Sequence, residues 1–305
     1  MDGSRHVSVA AGASGATGVD PDVAVGIDPV AAGPAPGAAR EVTVRWLGHA
    51  SVVLDLPVPD ERTSGTRRVR VLTDPLLRRH AGLLRRRGGA PRSEDWGDAD
   101  AVLVSHLHHD HAELGSLELV PDVPVVTAPS NAHWLRHHDV RAVGVAEGAW
   151  WQVPGAPVWV RPVTAVHGHR PMPHRPNAAV GFLVVAPSAR VWFAGDTAPF
   201  AQMAELTELA GGPIDLALVP VGGWGPRLSG GHMDPVQAAH AVEVVGASTA
   251  VPVHWGTLHA PVSRHLPPGW MDAAGPAFAA AVARGSGRCA VHVLAPGEQV
   301  RLPVA

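Results

Sequence analysis

The stretch Ser105-His106-Leu107-His108-His109-Asp110-His111 places four histidines and one aspartate within seven residues. Neutral imidazole and carboxylate are ligands for zinc, and also for manganese or iron. On a tight loop, alternate histidines can face one cation while Asp110 and His111 turn toward a second position nearby. One such loop supplies too few donors to complete a site, so others must come from elsewhere. Three segments offer them. The run from Val163 ends on His167, the run from Val191 ends on Asp196 after a glycine, and the run from Ala250 ends on His254.

The elements that must carry these residues are legible nearby. Ala101-Val102-Leu103-Val104, just before the cluster, is apolar and β-branched and predicts a buried strand. Further strands are predicted over residues 42–46, 51–54, 69–72, 158–166, 179–185, 191–194, 216–219 and 250–253, and from Cys289 to Leu294. Helices fall between them. The clearest runs from Asp234 to Gly246, with an N-cap aspartate, proline at the first helical position and glycine just past the end. The order of strands and helices predicts two sheets covered by helices, an architecture in which functional groups gather at strand ends.

Residues 1–40 are Gly, Ala, Pro, Ser and Val without a period and are expected to form a disordered tail, with residues 41–305 as the folded domain. The 305-residue chain is 46% apolar, enough for a sizeable core, and its net charge of −3 exerts no general pull on nucleic acid. Lysine and tyrosine are absent. A single cysteine, Cys289, excludes an internal disulfide and reads as a buried thiol. No apolar run approaches the roughly 20 residues that span a bilayer, and the N-terminus lacks a signal peptide's apolar core. A cytoplasmic location is expected.

Taken together, Trp46-Leu47-Gly48-His49-Ala50-Ser51, Leu72-Thr73-Asp74-Pro75, the His106–His111 cluster, Phe193-Ala194-Gly195-Asp196-Thr197, His232-Met233-Asp234-Pro235 and Pro252-Val253-His254-Trp255-Gly256-Thr257 resemble the metallo-β-lactamase-fold hydrolases. The similarity covers residues from about 41 to 270. It is strongest to the branch containing the N-acyl-phosphatidylethanolamine-hydrolysing phospholipase D and the ascorbate-6-phosphate lactonase. The resemblance implies an α/β fold, a four-layer αββα sandwich with a dinuclear metal site at one edge of the sheets. By position, His106, His108 and His167 would hold one divalent ion and Asp110, His111 and His254 the second, with Asp196 bridging both. Zinc is the default, with manganese or iron open. Asp110 is also a catalytic candidate; Asp74 would orient a ligand histidine from behind, and His49 would lie near the site. His232 would face the substrate and give a proton to the leaving group.

The chemistry that follows is attack by a metal-bridging hydroxide on a phosphodiester or related small ester. A lactonase or carboxylic-ester hydrolase is the alternative on the same site. A nucleic-acid-processing nuclease is disfavoured because Asp196 and His254 leave no room for a large insertion between them, and a purely metal-binding role because no ligand is missing. Neither a Gly-x-Ser-x-Gly elbow nor a phosphate-binding glycine loop occurs. The expected partner is a small-molecule substrate, with no nucleic acid.

Other residues carry weaker signals. His109 should point away from the metal, His137 and His138 should lie on a helix surface, and His169 and His174 belong to a Pro-rich loop. The run Arg78–Arg87 interleaves arginine with leucine; it reads as a solvated loop, with peripheral membrane contact as its functional alternative. Trp150, Trp151, Trp224 and Trp255 are core or pocket candidates. Gly222-Gly223-Trp224-Gly225-Pro226-Arg227 departs from the aromatic and charged pattern of the phospholipase.

Overall fold

Strand alternation decides where the core lies. In Glu41–Gly48 and Ser51–Asp60, the side chains of Val42, Val44, Trp46, Val52, Leu54, Leu56 and Val58 all enter one large apolar cluster. Val53, Leu72, Val102 and Val125 point to the opposite face and form a second cluster with Ala132 and Leu135 of the helix Pro129–Arg136. Successive residues of a strand face opposite sides, so this sheet is covered on both. The computed structural model describes residues 41–60, 62–63, 65–120, 122–168 and 175–303. The expected disordered tail over 1–40 and the loop histidines His169 and His174 lie outside them.

Two seven-stranded sheets make the sandwich. The first runs Gln299–Pro303, Glu41–Gly48, Ser51–Asp60, Gly65–Thr73, Ala101–Leu103, Val125–Thr127, Ala142–Gly144. Its neighbours are antiparallel as far as Gly65–Thr73 and parallel beyond. The second runs Ala290–Val291, Thr249–Val253, Leu216–Pro220, Arg190–Phe193, Val180–Val185, Trp159–Thr164, Trp151–Gln152. Here the first three pairings are parallel and the rest antiparallel. The helices Pro235–Val245 and Trp270–Arg284 add Ala238, Val242, Val245 and Phe278 to the large cluster and complete the αββα arrangement. Asp234 caps the first of them with a capping box, and Gly246 ends it at φ 69°.

Three expectations are corrected. The strand from Cys289 to Leu294 shortens to Ala290–Val291, because the segment is an edge with only Thr249–Val253 beside it; Cys289 is half-buried. The strand over 158–166 ends at Thr164, since Val166 leaves the sheet and is 43% exposed. The Arg78–Arg87 run is not simply a solvated loop. It folds into the short strands His80–Ala81 and Leu84–Arg86, which pair with Leu258–His259 and turn Arg86 inward.

Glu41–Gly48, Gly65–Thr73 and Ala101–Leu103 run in one direction, as do Trp159–Thr164, Arg190–Phe193, Leu216–Pro220 and Thr249–Val253. Past their C-terminal ends come His49, Asp74, the histidine cluster, His167, Asp196, His232 and His254. Both sheets therefore deliver chemistry to one edge.

Candidate metal centre

The backbone at this edge adopts conformations that most side chains avoid. His49, Asp74 and His254 have φ of 54°, 33° and 62°, a left-handed region that is costly outside glycine. The sandwich holds them there by cross-links between the sheets. His49 N–H donates to Thr257 Oγ1 at 2.7 Å, and His254 N–H donates to the His49 carbonyl at 2.8 Å. Gly195 sets the approach of Asp196 at φ 60°, where a Cβ would stand 2.8 Å from Ser105 Cβ and 2.9 Å from the Val180 carbonyl oxygen.

The predicted donors converge in two adjoining sets. His106 Nε2 and His167 Nε2 lie 2.9 and 3.1 Å from His108 Nδ1. His111 Nε2 and His254 Nε2 lie 3.0 Å apart, with Asp110 Oδ2 at 3.7 and 3.8 Å from them. Asp196 sits between the sets: Oδ2 is 3.2 Å from His111 Nε2, 3.9 Å from His106 Nε2 and 4.0 Å from His167 Nε2, while Oδ1 is 3.2 Å from His254 Nε2.

These spacings suit a cation. Donors at about 2.0–2.1 Å around a tetrahedral ion are roughly 3.3 Å from one another. Asp196 Oδ1 is buried without a hydrogen-bond partner, an orphan acceptor of the kind a cation satisfies. The residues therefore fit a metal.

Protonation is arranged around the same geometry. Burial pushes His106 well below the ordinary imidazole range and His108 down to about 4, and it lowers His167 as well. All three rings are neutral near pH 7, the state that offers a lone pair to a metal. In the other set burial opposes charge but is outweighed. Asp196, Asp110 and Asp74 hold His111 well above its usual value, and Asp196 and Asp110 raise His254 to about 9. Burial would raise Asp110 and Asp196, yet the facing histidines keep both well below the carboxylate range.

Asp74 stands behind His111. It is fully buried, its Oδ1 accepts from Ser105 N–H at 2.7 Å, and its Oδ2 accepts from Ser105 Oγ–H at 2.6 Å and meets His111 Nδ1 at 2.7 Å. His49 is also fully buried; its Nε2 lies 2.9 Å from Asp110 Oδ2 and burial lowers its pKa to about 3. His232 Nε2 is 3.2 Å from Asp196 Oδ2, and its Nδ1 is 3.1 Å from the Ser229 carbonyl. His109, His137 and His138 are exposed and lie outside the donor sets. Trp150 and Trp151 are core, Trp255 stacks on Trp46 at 5.3 Å, and Trp224 is exposed.

Sequence reasoning missed Asn177 and Arg175. Asn177 Oδ1 accepts from Leu107 N–H at 3.2 Å while its Nδ2 lies 3.0 Å from His108 Nε2, and Arg175 Nη1 donates to the carbonyls of Leu107 and Ala112. They follow a Pro-rich loop, and nothing in their local spacing marks them.

Known proteins share this architecture. The chain is 31% identical over 267 residues to a UPF0173 metal-dependent hydrolase of Thermus thermophilus, covering 86% of this chain and 99% of that one. It is 28% identical over 238 residues to the N-acyl-phosphatidylethanolamine-hydrolyzing phospholipase D 1 of Caenorhabditis elegans, covering 70% of this chain and 63% of that relative's length. Igni18, a metallo hydrolase of Ignicoccus hospitalis, superposes with a TM-score of 0.65 at 19% identity, over 87% of this chain and all of that one. Residues 69–255 match the Beta-lactamase superfamily domain, and the chain belongs to that superfamily as a metal-dependent hydrolase.

Proposed function

We propose that this hydrolase works with two divalent metal ions, zinc by ligand type, and cleaves a phosphodiester or a related small ester. The observation that carries this reading is the pair of adjoining donor sets, His106–His108–His167 and Asp110–His111–His254, with Asp196 between them. When bound, the ions supply Lewis acidity, lowering the pKa of water from roughly 15.7 to about 7 and offsetting negative charge that develops on the substrate.

The protein's own residues do the rest. Asp74 fixes the ring of His111 through Nδ1, leaving Nε2 to face the site. His49 holds Asp110 Oδ2 in the same way. His232 has an acceptor within reach of each ring nitrogen, the Ser229 carbonyl at Nδ1 and Asp196 at Nε2, and these contacts fix how the ring faces the site. At 12% side-chain exposure it can meet a substrate and pass the Nε2 proton to the leaving oxygen. The relative named for hydrolysing N-acyl-phosphatidylethanolamine supports the phosphodiester reading. Among the described residues no helix is long and apolar enough to cross a membrane.

The test is turnover of bis-p-nitrophenyl phosphate by metal-loaded protein, with bound metal counted and Asp196→Ala as control. Turnover that disappears in the variant, from protein holding two ions, is the expected result. Inactivity on the phosphodiester with activity on p-nitrophenyl acetate or a lactone would move the substrate to carboxylic esters. Protein that holds no metal, or a single ion, would overturn the dinuclear reading.

A further inference from the structure

A cavity of about 770 Å³ flanks the strand ends that carry His49 and His254, and none of the candidate metal donors lines it. Its size is that of a small-molecule site, which runs from about 300 to 1,000 Å³. Trp46 and Trp255, stacked at 5.3 Å, are among its lining residues together with Met271. Its walls are rich in arginine.

The charges there do not balance. Arg87 pairs with Asp272, and Arg92 pairs with Asp95 and Glu94. Arg264 lines the cavity, is exposed, and has no ion pair among the described residues. Arg86 is only 8% exposed and likewise has no carboxylate partner among them. Its Nε and Nη1 donate to the carbonyls of Gly89 and Leu76 at 3.3 and 2.9 Å, and its Nη2 donates to the carbonyl of Leu47. A guanidinium has five N–H groups, so these three bonds leave two N–H groups of Arg86 without an acceptor among the described residues. Burying a cation away from any counter-charge is costly, and proteins offset it by pairing. On the other side of the ledger, Glu298 also lines the cavity, and its Oε2 is taken up by the Ala295 N–H. Arg86 and Arg264 together outweigh it.

We propose that this cavity is a binding site for a small organic anion, distinct from the substrate. Its acidic head meets Arg86 and Arg264, and a flat apolar body lies against Trp255 and Met271. The same wall supports the metal centre. Arg87 N–H donates to the Thr257 carbonyl at 2.7 Å, and Thr257 Oγ1 accepts from His49 N–H at 2.7 Å. Gly48 leaves room for Arg86, since a Cβ there would stand 2.9 Å from Arg86 Nη2.

The probe is naphthalene-2-sulfonate, whose sulfonate is a weak metal ligand, titrated calorimetrically into the metal-loaded protein. The expected result is one-to-one binding that Arg264→Ala weakens about tenfold, the effect of removing a charged hydrogen-bond partner. The neutral 2-naphthylmethanol should bind weaker by a similar factor. His232→Ala, at the metal centre, should bind the sulfonate as the parent does. Arg86→Met should weaken binding too; if that variant fails to fold, Arg264→Ala decides alone. Absence of binding to the parent, or an Arg264→Ala affinity equal to it, overturns the proposal. So does loss of binding in His232→Ala, which would place the anion at the metal centre.

Discussion

His111 Nδ1 and Asp74 Oδ2 meet at 2.7 Å with both side chains fully excluded from water. The carboxylate also takes two hydrogen bonds from Ser105, so one buried aspartate ties the start of the histidine loop to its end. A carboxylate behind a ligand histidine fixes ring orientation and raises basicity. Asp74→Asn should therefore lower metal affinity by about 10- to 100-fold. Competition against a chromogenic chelator measures this, and an unchanged affinity would remove Asp74 from the metal centre's support.

His232 is predicted to serve turnover and not metal retention. His232→Gln should reduce kcat by about 10²- to 10⁴-fold, the usual contribution of a general acid, while bound metal stays at the parent level. Loss of metal in parallel with activity would make His232 a ligand instead.

The clamp from the 175–180 segment gives a third prediction. Asn177→Leu removes the acceptor for Leu107 N–H and the contact with His108 Nε2. Affinity for the ion proposed at His106, His108 and His167 should fall about tenfold. Asn177→Asp, which keeps an acceptor for Leu107, should retain most of it. Equal losses in both variants would point to general destabilisation.

In metal-free protein the histidines predict a stability maximum near the free imidazole pKa of about 6.5. His49, depressed to about 3, contributes stability that is present above that value and lost as pH falls toward 3. His254, raised to about 9, contributes stability present below about 6.5 and lost as pH climbs through 9. Each group gives a limiting slope of about 1.4 kcal/mol per pH unit. Thermal melts of chelator-treated protein from pH 5 to 9 should show Tm falling on both sides; a steady rise across that range would contradict the assignment.

Gly195→Ala should fold yet load metal poorly. The new Cβ meets Ser105 and the Val180 carbonyl and must push Asp196 away from the five histidines it faces. Metal content read by emission spectrometry against a folded far-UV spectrum checks this. Full loading would show that the turn yields more readily than its contacts suggest.

Much of this architecture was legible because its signals are local. Apolar β-branched runs marked the strands around the site, and Asp234, Pro235 and Gly246 marked one helix to the residue. The seven candidate ligands were conspicuous as polar groups after apolar strands, and Asp74 was marked by the family resemblance. Asn177 and Arg175 were not, because a residue that acts through a distant backbone leaves no periodic trace. Arg86 was misjudged for a related reason. In a run of exposed arginines, only the pairing with Leu258–His259 reveals which one turns inward. The similar layout of the two sheets was hidden too, since topology can repeat where residues do not.

Each donor set draws from both sheets, and this constrains the order of events when the chain folds. His106 and His108 follow a strand of the first sheet and His167 one of the second; Asp110 and His111 wait for His254, 143 positions away from His111. Contacts this distant in sequence form late, because a long loop must close first. A nascent or truncated chain lacking the second sheet can offer a cation only half a cage. A complete set of donors for a cation therefore exists only once the two sheets have docked.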